Sequence, residues 1–110
     1  LYSGEDGLIL PILAAGVVGV ISVLSNVAPK ETHEICAKWF SGDIEAARKE
    51  QLRALPLIHA LFSEVNPIPV KAAMNLQGKN VGSLRLPLTE MEKEHREVLK
   101  EEMIRYGILK

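Results

Sequence analysis

The sequence has one cysteine, Cys36, so it cannot close an internal disulfide, and neither this thiol nor His33, His59 or His95 falls into a zinc-ligand spacing. No metal or cofactor site is therefore expected. Charge of one sign is lacking too: the formal net charge is −1, with Lys and Arg interleaved with Glu. That removes the basic face on which nucleic acid or an anionic membrane surface would dock. The chain opens on Leu1 and not on methionine, with no basic segment ahead of its first apolar stretch, so it carries no secretory leader pattern. It opens like a piece whose upstream neighbour is absent. Repeats and low-complexity tracts are missing as well. A reducing, cytoplasmic setting is expected.

What is present is an ordinary globular composition, 47% hydrophobic and 25% charged over 110 residues, enough for one domain with a core. The longest uncharged run covers residues 8–24 and approaches the length of a membrane span. Its internal order argues against one. Leu and Ala dominate residues 8–15, Gly16 is a helix stop, and residues 17–23 are mostly β-branched. Flanking cations and aromatic anchors are missing at both ends. The expectation is a short buried helix followed by a strand over residues 18–23 that is buried on both faces, as in parallel sheets. Only Leu1-Tyr2-Ser3 is available as a second strand, so the sheet is incomplete within this chain.

After Asn26 the signals are helical. Pro29 suits a first helical turn, and Gly42 stops that helix beyond Trp39 and Phe40. Asp43 is placed to cap a second helix over residues 44–62, in which Pro56 should introduce a kink. Asn66-Pro67-Ile68-Pro69 is an extended connector, and a third helix over residues 70–77 ends at Gly78. Thr89 and Glu92 form a capping-box pattern for a last helix that stops at Gly107.

Few residues invite a chemical role. Glu5 and Asp6 sit at a strand-to-helix turn, where acid–base work is conceivable, but capping of the following helix is the favoured reading. Gly4, at the end of the first strand, either admits a ligand close to the backbone or is an ordinary turn glycine. His33 and His95 are expected on exposed helix faces, His59 at a helix boundary, and Cys36 as a small buried hydrophobe beside Trp39. Lys71, in the first turns of its helix, reads as solvent-exposed or ion-paired and not as a nucleophile.

Five strings, in order, resemble the dihydrodipicolinate synthases: Leu1-Tyr2-Ser3-Gly4-Glu5-Asp6, Gly19-Val20-Ile21-Ser22-Val23, Asn26-Val27-Ala28, Asn66-Pro67-Ile68-Pro69-Val70-Lys71 and Leu84-Arg85-Leu86-Pro87-Leu88-Thr89. The last two at this separation distinguish that family from the related N-acetylneuraminate lyases and keto-deoxy-sugar aldolases. The resemblance implies an α/β fold: the C-terminal fragment of a (β/α)8 barrel with a C-terminal helical extension, mostly α within this chain. Residues 1–28 would be the last one to two strands and a helix of the barrel, and residues 29–110 the extension.

The family condenses pyruvate with aspartate semialdehyde through a lysine Schiff base, in the diaminopimelate route to lysine. Its catalytic lysine and tyrosines would lie upstream of Leu1, so no catalytic residue is expected here. The resemblance leaves Ile21 and Gly4 as substrate-binding residues, both at the C-terminal ends of barrel strands, where such barrels build their sites. Expected partners are pyruvate, aspartate semialdehyde, the rest of the barrel and further copies in a homotetramer. A fragment of a related pyruvate aldolase and a non-enzymatic helical interaction module are the alternatives.

Overall fold

Helix boundaries in the computed structural model, which describes residues 1–110, follow local signals where those are strong. A 3-10 turn, Asp6–Leu8, leads into α1 (Ile9–Ala14), and a second 3-10 turn, Leu24–Asn26, precedes α2 (Pro29–Phe40). There follow α3 (Ile44–Leu61), α4 (Ile68–Leu76) and α5 (Lys93–Tyr106). Pro29 stands in the first turn of α2, where its missing N–H costs nothing. Asp43 Oδ1 accepts the Ala46 N–H at 3.2 Å, the expected cap of α3. At the other end of α5, Gly107 takes φ 94°, and the amides of Gly107 and Ile108 donate back to Ile104 and Met103. Only a residue tolerant of the left-handed region closes a helix in this way.

The chain divides into two compact units, Leu1–Leu55 and Pro56–Lys110. The division falls within α3, and Pro56 does not end that helix. In the first unit Ile9, Leu10, Leu13, Val17, Ile35 and Ala47 form the core, with Ile12, Val20, Cys36 and Trp39 packed against it. Each large apolar side chain taken out of water there contributes about 1.5–3 kcal/mol. In the second unit α4 packs on α5, and Leu61, Ala73, Leu99 and Met103 are fully buried.

Three expectations are corrected. Residues 18–23 do not form a buried strand: a single parallel bridge joins Ser3 to Val20, and Val18 and Ile21 are 61% and 73% exposed. A parallel strand is buried on both faces only when strands flank it and helices cover it. Here one three-residue neighbour is all it meets. The α5 helix begins at Lys93, four residues beyond Thr89, so the capping box is not used. Its place is taken by Glu64, whose Oε2 accepts the Glu92 N–H at 3.0 Å and contacts His95 Nδ1 at 2.9 Å. A carboxylate at a helix start meets unsatisfied amides and the positive end of the helix dipole. His95 is consequently half-buried and partnered, not free on an open face. No helix is long and apolar enough to cross a membrane.

Candidate functional site

The two residues singled out for substrate binding lie on neighbouring extended segments. Val18 N–H donates to Leu1 O at 3.0 Å, Ser3 N–H to Gly19 O at 2.9 Å and Ile21 N–H to Ser3 O at 2.7 Å. These slanted bonds are the ladder of two parallel strands in miniature. They set Val20 level with Ser3, so that Ile21, the next residue, comes beside Gly4.

Side chains alternate across an extended segment. Val20 packs onto the helical core of its unit, so Ile21 projects from the opposite face, where it is exposed. Gly19 shares that opposite face, and a Cβ there would meet the Tyr2 ring at 3.0 and 3.1 Å. Gly4 has open space on its side-chain position. The result is a small open shelf with an isoleucine wall and a bare glycine. Shape and backbone are what it can offer a ligand.

Beneath this shelf is a buried polar layer. Ser3 and Asp6 are each 2% exposed. Glu5 caps the first 3-10 turn, its Oε1 accepting the Gly7 N–H at 3.1 Å, as the capping reading expects. Asp6 does something else: its Oδ2 accepts the N–H groups of Val23 and Leu24, both at 2.9 Å. Gln51 on α3 completes the layer, donating from Nε2 to Asp6 O at 3.0 Å and accepting the Leu10 N–H at 3.2 Å. Sequence reasoning missed both tethers, because nothing local links Asp6 to Val23 or Gln51 to Leu10. A glutamine on the apolar side of an amphipathic helix was the one available signal.

Other candidates stay apart. No three His, Cys, Asp or Glu side chains stand close enough to hold a metal ion. His33 and His59 are exposed, and burial raises the Cys36 thiol above its ordinary pKa, as suits a partly buried hydrophobe. Lys71 lines an open groove of about 430 Å³ in the second unit with Ile68, Asn75, Met91 and Arg96. Its ammonium is held by the Ser83 carbonyl at 2.6 Å, and no apolar burial prepares it as a nucleophile.

Known proteins resemble this chain in sequence and in backbone. Residues 1–105 match the dihydrodipicolinate synthetase family. The chain is 57% identical over 108 residues to 4-hydroxy-tetrahydrodipicolinate synthase of Caldicellulosiruptor bescii, an alignment that covers 98% of this chain and 37% of that protein. The enzyme of the same name from Lachnoclostridium phytofermentans is 54% identical over 109 residues, covering 99% and 37%. Among solved structures, dihydrodipicolinate synthase from Thermotoga maritima superposes with a TM-score of 0.95 at 47% identity, covering 98% of this chain and 37% of that one. The chain thus spans a little over a third of the length of its curated relatives. By its sequence and by its backbone, the chain belongs to the dihydrodipicolinate synthetase family.

Proposed function

We propose that this chain is the C-terminal part of a lyase that condenses pyruvate with aspartate semialdehyde through a lysine Schiff base, in the diaminopimelate route to lysine. The family match over residues 1–105 carries the reading. In it, residues 1–28 are the closing portion of a (β/α)8 barrel and residues 29–110 its helical extension. The paired segments at Leu1–Ser3 and Gly19–Ile21 are the last two strands, completed by the rest of the barrel. Gly4 lets the small keto acid approach the backbone, and Ile21 supplies an apolar wall. That wall excludes water from the reacting carbon and restricts the orientations of the bound acid. The nucleophilic lysine and the proton-relaying tyrosines belong to the upstream part. The complete enzyme works as a homotetramer in the cytoplasm and needs no cofactor.

Borohydride trapping tests this assignment. The complete enzyme, incubated with pyruvate and reduced, is expected to carry one pyruvyl adduct on a lysine upstream of Leu1. The polypeptide of residues 1–110 treated in the same way should carry none. An adduct on Lys71, or on any other lysine of this chain, would overturn the division of labour.

A further inference from the structure

Asp6 is a buried carboxylate that the chemistry above leaves without a task. It is 2% exposed, its Oδ1 has no hydrogen-bond partner, and its Oδ2 accepts two backbone N–H groups at 2.9 Å. A buried charge is costly unless charge-assisted hydrogen bonds offset it. Both of these bonds go to one short stretch, Val23 and Leu24, two residues beyond Ile21.

That stretch opens the Leu24–Asn26 turn, whose N-cap residue Val23 has no side-chain oxygen to satisfy the turn's free amides. Asp6 supplies the acceptor from 17 positions away. The other side of Ile21 is fixed by its own N–H on the Ser3 carbonyl at 2.7 Å. Ile21 is therefore pinned on both flanks by the segment Ser3–Asp6, the same segment that carries Gly4. Asp6 itself is anchored from below, since Gln51 donates to its carbonyl at 3.0 Å.

We propose that Asp6 is a positioning residue for pyruvate binding: its Oδ2 holds the backbone after Ile21 against the segment that bears Gly4, and so sets the width of the shelf between them. The proposal rests on the lyase reading given above. It differs from simple turn capping in what it predicts for the substrate.

The test uses the complete enzyme. Asp6→Ala is expected to raise the KM for pyruvate by about tenfold, the scale of a lost charge-assisted hydrogen bond, with a smaller change in kcat. Asp6→Asn keeps a carbonyl oxygen that can accept the same two amides and should recover most of the loss. Hydrogen exchange should quicken in peptides spanning residues 19–26 and stay unchanged in those from α5. Glu50→Gln serves as comparison: it should lower Tm at pH 7 and leave the pyruvate KM of the folded enzyme as it was.

Where Asp6→Ala does not fold, Val23→Pro replaces it, since φ −76° at Val23 suits proline and the change deletes one of the two donors. A smaller rise in KM is then expected. An unchanged pyruvate KM in the folded Asp6→Ala or Val23→Pro enzyme would overturn the positioning role alone. An unmutated enzyme that makes no product from pyruvate and aspartate semialdehyde would overturn the lyase reading, and the proposal with it.

Discussion

Ile21 separates two meanings of exposure. A side chain 73% exposed in this chain contributes little to the stability of residues 1–110 taken alone. In the closed barrel proposed above, the same side chain would line the substrate mouth. Ile21→Ala should accordingly leave the unfolding free energy of the isolated polypeptide within about 0.5 kcal/mol of the parent, as for a surface change. In the complete enzyme it should raise the pyruvate KM several-fold while Schiff-base trapping persists. Normal pyruvate kinetics in that variant would refute the wall role. Its candidacy was legible only through the resemblance, because a β-branched run alone does not say which residue faces a ligand. Asp6 was harder still to find. Two adjacent carboxylates at a turn look interchangeable in sequence, yet Glu5 caps the turn it begins and Asp6 caps one 17 residues on.

Among the elements, the helices repeat the sequence closely, because their stops and starts are local chemistry. Gly42 and Gly107 both take the left-handed conformation after a helix, and Asp43 caps the next one. Thr89 and Glu92 do not form a capping box, and a carboxylate from elsewhere, Glu64, accepts the Glu92 amide that Thr89 would have taken. Competition of that kind has no signature in a window of ten residues. The α2–α3 pair offers an electrostatic test, since Lys38 Nζ lies 3.2 Å from Glu50 and 3.5 Å from Glu34. Burial raises the Glu50 pKa, but the Lys38 hydrogen bond and the charges of Arg53 and Lys38 outweigh it, leaving the group below its ordinary value. A depressed carboxylate stabilises the fold above its unfolded pKa and loses that contribution as pH falls through the folded one. Glu50→Gln should therefore lower Tm at pH 7, and the gap to the parent should close once the pH drops below the carboxylate range. A gap that persists unchanged in acid would mean that packing, not charge, is what Glu50 provides.

The strand over residues 18–23 was predicted from composition and is nearly absent, for a reason that belongs to the whole molecule. A β-branched run encodes burial between neighbours, but it cannot supply them, and residues 1–110 contain only Leu1–Ser3 as a partner. Leu1, Tyr2, Val18 and Ile21 are left 60% exposed or more, an apolar cluster around an open ladder. Unpaired, flat, apolar strand edges associate with other edges, and a charge placed on them discourages it. Residues 1–110 expressed alone should accordingly self-associate, with a mass by light scattering that rises with concentration above the 12.1 kDa of one chain. Val18→Lys, at an exposed position on the ladder, should move that mass back toward one chain without loss of helix by circular dichroism. Supplying the upstream part of the barrel should suppress the association in the parent, because barrel closure removes the edges altogether. If the parent polypeptide stays monomeric at every concentration, the open ladder is not adhesive, and the exposure of Val18 and Ile21 has some other use.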